Sequence, residues 1–205
     1  MTVNPAVGVL GLGALGNIAS ICGALEAVGA LVTVIDRPEQ LDAVPRLVLP
    51  GVGSFPEAMG EINSHGWLQP LRAAASSKPT LGICLGMQLL AQVGFEFVET
   101  EGLALLAGEV RRMPCKAPIP HIGFASVGTL GAPALFNQLP LAAEFYFMHS
   151  YQFINYTDVA ALADYGSHQF VAAVERNQLF GVQFHPEKSR DVGLQLLRNF
   201  VELAP

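Results

Sequence analysis

Short apolar runs alternate with helix-like stretches through the first half of the chain, and this alternation restricts the fold more than any other feature. The apolar runs cover residues 7–10, 31–35, 46–49 and 79–83, and the helix-like stretches cover 18–28, 56–62, 67–75 and 85–92. An apolar run of four or five residues is too short for a buried helix and suits a strand covered on both faces. Strands separated by helices pair in parallel through right-handed crossovers, so this half reads as βαβ units on a parallel sheet.

The pattern changes after about residue 100. Residues 109–113, 122–127, 144–147, 153–155 and 170–176 read as strands without intervening helices, and Asn177-Gln178 reads as a hairpin connection to a strand at 179–184. A last helix spans 189–203, with Val192, Leu196, Leu197, Phe200 and Val201 on one side. No repeat, linker or low-complexity tract divides the halves. The expectation is an α/β fold in a single domain, 1–205, with a central mostly parallel sheet flanked by helices and an antiparallel extension in the C-terminal half.

Composition narrows the function. Charged residues make up 14% of the 205 residues, against a usual share of about 25%, which suggests an apolar surface buried against another chain. The net charge is −6 and there is no Lys/Arg run, so a nucleic-acid partner is not expected. Cys22, Cys84 and Cys115 are scattered without CxxC or Cys/His spacing, which points to free thiols, a reducing cytoplasmic setting and no metal. Residues 6–25 carry no charge, yet glycines dilute the stretch, Asn17 and Ser20 interrupt it, and the first basic residue is Arg37. Neither a membrane span nor a signal segment is expected there.

Two motifs compete for the chemistry. Gly11-Leu12-Gly13-Ala14-Leu15-Gly16 spells a dinucleotide fingerprint between a strand and a helix, with Asp36 at the end of the next strand. An NAD-binding dehydrogenase is therefore one alternative. The rest of the chain supplies a different chemistry.

Gly82-Ile83-Cys84-Leu85-Gly86 is the cysteine form of a nucleophile elbow: an apolar strand runs into a nucleophile framed by glycines, and a helix follows. A sharp strand-to-helix turn needs glycines where backbones approach, and the helix N-terminus favours a thiolate and aims an N–H at a developing oxyanion. A thiol nucleophile also needs a base and a group to orient that base. In Val182-Gln183-Phe184-His185-Pro186-Glu187 an extended backbone would project His185 and Glu187 to one side, so that the carboxylate orients the imidazole. Pro50-Gly51-Val52-Gly53, at another strand end, could add an oxyanion donor or be an ordinary turn.

Together, GICLGMQLL (82–90), PGVGSF (50–55), FMHSY (147–151) and GVQFHPEKS (181–189) resemble the class I, triad-type glutamine amidotransferases from about residue 6 to 203. Met87 after Leu-Gly, and Lys188 in HPEKS, resemble the glutaminase subunits of imidazole glycerol phosphate synthases within that family. The family's opening D-Y-G-x-G-N keeps only Gly16-Asn17, and its P-H-M-G-W-N becomes Pro120-His121-Ile122-Gly123-Phe124-Ala125.

The resemblance implies that Cys84 is the nucleophile, His185 the base and then acid, and Glu187 its orienter. It implies an oxyanion hole from the N–H groups of Gly53 and Leu85, and glutamine held by Gln88, His149, Ser150 and Tyr151, with Glu96 on the substrate ammonium. Asn17, Phe124 and Lys188 would face the partner. The implied function is hydrolysis of glutamine and delivery of ammonia to a synthase/cyclase subunit, a (βα)8 barrel, as a heterodimer in histidine biosynthesis, without a cofactor. A glutaminase serving another amidotransferase, such as one building amidino groups on sugars, is the alternative within the class. Glutaminases of this family are gated by their synthase, so the chain alone is expected to be slow.

Overall fold

The computed structural model describes residues 4–11, 18–154 and 157–204. Asn17 and positions 12–16 of the glycine-rich turn lie outside the described residues. In the first half, β1 (Ala6–Leu10), α1 (Ile18–Ala27), β2 (Leu31–Ile35), β3 (Leu47–Leu49), α2 (Phe55–Ser64), α3 (Leu68–Ser77), β4 (Thr80–Ile83) and the one-turn α4 (Leu85–Gln88) follow in order. Then come β5 (Val93–Glu96), β6 (Val98–Glu101), β7 (Glu109–Arg112), β8 (His121–Thr129), β9 (Glu144–His149) and β10 (Tyr151–Ile154). The chain closes with β11 (Val159–Tyr165), β12 (His168–Arg176), β13 (Leu179–Val182) and α5 (Arg190–Glu202).

Among the described residues, nine strands form one sheet in the order β2-β1-β3-β4-β13-β12-β11-β8-β9. The pairs from β2 to β13 are parallel, and those from β13 to β9 are antiparallel. β13 is therefore the seam. Its register against β4 sets Val182 opposite Ile83, so Cys84 and the residues after Val182 leave the sheet side by side. Ligands of open α/β sheets collect beyond such carboxyl ends of parallel strands.

A second sheet, β10-β7-β5-β6, is separate from the first. Residues 109–113 and 153–155, read as strands of the antiparallel extension, pair antiparallel with each other in this second sheet, Phe153 opposite Val110, and bury both side chains. The β5–β6 hairpin and β11 have no counterpart in that reading. The helix expected over 85–92 is α4 alone, because the chain turns after Leu89 and Gln92 N–H donates to the Gly108 carbonyl, not to a helical one.

Few charges are present, and several cations close the backbone instead of pairing with acids. Lys78 Nζ donates to the carbonyls of Leu41 and Val44, and Arg72 Nε to that of Leu103. Cys22 and Cys115 are half-buried at the edge of the core, and all three cysteines are free thiols. Among the described residues, no helix is long and apolar enough to cross a membrane.

Candidate active site

Cys84 sits between β4 and α4 with φ 54° and ψ −109°. A non-glycine residue at such a φ costs about 1–3 kcal/mol and persists only where its surroundings hold it. Its N–H donates to the Val182 carbonyl at 2.8 Å, and the glycines on either side let the turn close. A Cβ on Gly86 would overlap the Leu49 carbonyl oxygen, and one on Gly82 would lie 2.6 Å from the Gly86 oxygen. The strained thiol is thus fixed by the parallel strands on both sides.

His185 lies just past β13, extended at φ −101° and ψ 97°. Its N–H donates to the Tyr146 carbonyl, and Ser189 Oγ donates to the His185 carbonyl at 2.6 Å while accepting from Tyr146 N–H. Residues Pro186–Lys188 form a 3-10 turn, where the sequence reading expected a continued extended segment. Pro186 explains the difference: it cannot donate to a strand ladder, and its fixed φ suits the first position of a helical turn. The turn still delivers the carboxylate, and His185 Nδ1–H donates to Glu187 Oε1 at 2.8 Å. Both side chains are buried, 3% and 7% exposed. Burial pulls the imidazole pKa down, but Cys84 and Glu187 more than offset it and lift it to about 9. With Nδ1 committed to Glu187, Nε2 is the free nitrogen, buried and without a hydrogen-bond partner among the described residues.

A cavity of about 230 Å³ opens over these groups. That is below the roughly 300–1,000 Å³ of pockets for drug-sized ligands. Cys84, His185, Gly53, Leu85, Gln88, Glu96, His149, Ser150 and Tyr151 all border it. Every catalytic, oxyanion and substrate residue expected from the sequence lines the cavity except Glu187, which stands behind His185. Val52, Pro120 and Met148 also border it and were not anticipated. Gly53 has φ +98°, a conformation glycine adopts at little cost. Leu85 opens α4, so its N–H has no acceptor within the helix.

The wall of this cavity is tied together by polar side chains. Gln88 Nε2 donates to the Tyr151 carbonyl and to Gln183 Oε1, both at 3.0 Å. Both its amide hydrogens are therefore engaged, and any contact of Gln88 with a ligand goes through its oxygen. His149 Nδ1 donates to the same Tyr151 carbonyl at 2.8 Å. Burial lowers the His149 pKa to about 4, so this imidazole is neutral at ordinary pH. Glu96 is half-buried, and its Oε2 accepts from Phe55 N–H at 2.8 Å. Burial raises its pKa, the Phe55 bond opposes this, and Glu57 adds repulsion.

Beside the cavity, β8 and β9 set Ile122 opposite Met148 and Phe124 opposite Tyr146. Ile122, Phe124 and Met148 are exposed, at 58%, 38% and 36%. The Arg190 guanidinium lies 4.5 Å from the Phe124 ring, and Lys188 Nζ lies 5.8 Å from that of Tyr146. Phe124 and Lys188 thus share one open apolar and basic face at the rim.

A larger cavity, about 550 Å³, lies between the turn Ala134–Phe136 and the end of α5. Among the described residues, Glu202 is the one ionisable residue in its wall, and no cysteine or histidine borders it. Among the described residues, no cluster of His, Cys, Asp or Glu could hold a metal ion. Asp36 is exposed beside Arg37.

A cysteine elbow beside a buried His–Glu pair, on this half-parallel sheet, is the arrangement of a thiol nucleophile with an oriented base. Residues 15–203 match the family Glutamine amidotransferase class-I, and the chain belongs to that family. The chain is 44% identical over 197 residues to "Imidazole glycerol phosphate synthase subunit HisH" of Desulfitobacterium hafniense, covering 95% of this chain and 92% of that one. It is 42% identical over 192 residues to the protein of the same name from Moorella thermoacetica, covering 92% and 91%. A solved structure titled "Crystal structure of glutamine amidotransferase" superposes with a TM-score of 0.76 at 22% identity, covering 96% of this chain and 97% of that one. A Thermoplasma acidophilum structure titled as a putative GMP synthase subunit superposes at 0.74 with 20% identity, over 98% and 94%. At such identities the two structures speak for the fold alone.

Proposed function

We propose that the chain is the glutaminase subunit of an imidazole glycerol phosphate synthase, acting in histidine biosynthesis, with residues 1–205 as one glutaminase domain. One observation carries the reading: a strained cysteine shares a small cavity with a buried, carboxylate-oriented histidine. The relatives named above support the pathway.

The chemistry follows from the geometry. With the proton of the Cys84–His185 pair on His185 Nε2, the Cys84 thiolate attacks the glutamine carboxamide carbon. The oxyanion lies between the N–H groups of Gly53 and Leu85. The tetrahedral intermediate collapses as His185 gives its proton to the departing nitrogen, releasing ammonia and leaving a γ-glutamyl thioester. His185 then takes a proton from water, whose oxygen attacks the thioester. Glutamate leaves and the thiol is restored. Glu187 holds the imidazole in the tautomer with its Nδ1–H buried and stabilises the imidazolium, as the acid of a catalytic triad does. Glu96 receives the substrate ammonium, and Gln88 with the His149-Ser150-Tyr151 segment holds the rest of glutamine.

Ammonia passes to a cyclase subunit, a (βα)8 barrel that forms a heterodimer with this chain in the cytoplasm. Phe124 and Lys188 face it. The stripe of Ile122, Phe124 and Met148 suits such a contact, because it is apolar, exposed and continuous with the cavity rim. The test is glutamate release by the chain mixed with its synthase, for wild type and Cys84→Ala. Release that depends on Cys84 supports the reading, and release that survives its removal overturns it.

A further inference from the structure

One buried polar side chain touches the nucleophile and has no part in the reaction just described. Gln183 directly follows β13 and is fully covered. Its neighbours Val182 and Phe184 are fully buried apolar residues. A carboxamide enclosed in this way costs several kcal/mol unless both its ends find partners. Its Oε1 receives the N–H of Gln88 at 3.0 Å, and its Nε2 lies 3.7 Å from Cys84 Sγ.

The orientation of the two amides follows from a backbone group. The Tyr151 carbonyl can only accept, so the end of Gln88 that lies 3.0 Å from it must be nitrogen. That nitrogen also meets Gln183, so the Gln183 atom facing it must be oxygen. The remaining end of Gln183, the NH2 group, therefore faces the sulfur. His149 reinforces the starting point by donating to the same carbonyl at 2.8 Å.

We infer that Gln183 is a further catalytic residue, whose N–H stabilises the Cys84 thiolate. The inference rests on the glutaminase reading, since it assigns a role in that reaction. On its other side, Cys84 Sγ lies 3.9 Å from the Met148 carbonyl oxygen, which can only accept and gives a thiolate nothing. With the proton on His185 Nε2, the sulfur is an acceptor, and the Gln183 N–H is already in place. The donor is held by a chain of amides anchored on backbone, so it needs no reorganisation at the moment of reaction. It acts twice: before attack, on the thiolate, and on deacylation, when the collapsing intermediate expels the thiolate again.

The test is the pH dependence of Cys84 alkylation by iodoacetamide, followed on the whole chain by mass spectrometry of the Cys84 peptide. Alkylation reads the thiolate fraction directly and needs neither glutamine nor a partner. Gln183→Met keeps the length and removes the donor. A hydrogen bond to a charged group is typically worth about one pKa unit, so alkylation on the acid side of the titration should slow by roughly tenfold. Gln88→Met leaves Gln183 in place but releases its orientation, and a smaller shift in the same direction is expected. This second variant decides the matter if Gln183→Met does not fold. A folded variant whose alkylation profile matches wild type makes Gln183 a packing residue and overturns the inference, whatever happens to glutamate release. A shifted profile in a protein that never releases glutamate would overturn the glutaminase reading and leave the thiolate contact standing.

Discussion

The two halves of the large sheet are built differently. In the parallel half, β3, β4 and β13 are buried at every residue, and β1 at all but the first. In the antiparallel half, β8 alternates, with Ile122 and Phe124 open to solvent while His121 and Val127 are covered. Under the proposed function, the parallel half, whose strands are covered on both faces, holds the two reacting groups, Cys84 and, through β13, His185. The antiparallel half and the small sheet provide the wall around them, Met148 to Tyr151, and an open face for another chain. On the proposed function, the division is between a rigid source of chemistry and an adaptable surface for substrate and partner.

The largest expected effects test the rigid half. Cys84→Ala should abolish glutamine hydrolysis, by a factor on the order of 10⁶ as for other triad nucleophiles, while synthesis from ammonium salts by the complex persists. Rates with glutamine and with ammonium, measured side by side, check this. Glu187→Gln should cost less, about 10³–10⁴ in kcat, because the imidazole remains but loses its fixed tautomer. A loss equal to that of Cys84→Ala would give Glu187 a structural role as well.

The next effect tests the adaptable surface. Docking of the synthase should raise glutaminase turnover by about 10²–10³, the worth of one oxyanion donor, through the glycine-rich turn at Gly53. Steady-state turnover with and without the synthase reads it directly, and equal rates would mean a preformed oxyanion hole.

Stability should divide along the same line. Gly86→Ala forces a Cβ onto the Leu49 carbonyl and should destabilise the fold by about 3 kcal/mol or more. Gly128→Ala in β8 meets nothing nearer than the Leu162 oxygen at 4.0 Å and should stay within about 0.5 kcal/mol. Urea unfolding of both variants compares the halves, and similar losses would erase the distinction.

A smaller effect concerns pH. His149 is held down to about 4 from 6.5, by burial first, with His121 and His185 adding to it against the Tyr151 hydrogen bond. As pH falls from about 6.5 towards 4, the unfolded chain binds a proton that the native chain refuses, so stability is lost on acidification. Between pH 7 and 5 this one group should cost about 1–2 kcal/mol. His149→Asn should flatten that part of the profile, and an unchanged slope would assign it elsewhere.

What could be read from the sequence follows the same division. β1, β3, β4 and β13 were legible because doubly covered strands are continuous apolar runs. β11 was not: Val159–Tyr165 is rich in alanine, which favours helix in isolation, and pairing with β12 and β8 overrides that preference. The β5–β6 hairpin turns through the single residue Phe97, at φ 62° and 86% exposed, with none of the Gly or Asn signals that mark such turns. Within the site, residue types and glycine framing exposed Cys84, His185 and Glu187. Gln183 was passed over as strand filler, although a lone amide between Val182 and Phe184 in a doubly buried strand must find partners. The Tyr151 carbonyl, which orients Gln88 and through it Gln183, is a backbone group and leaves no trace in residue identity.

The central claim is that glutamine is opened by Cys84 with His185 as its proton carrier. The most direct measurement is the mass of the chain, quenched in acid during turnover with glutamine and the synthase, with the modified residue located by peptide sequencing. The account predicts a γ-glutamyl thioester on Cys84 that is absent from Cys84→Ala. Glutamate release by the wild-type chain without any such adduct, or an adduct on Cys22 or Cys115 instead, would contradict it.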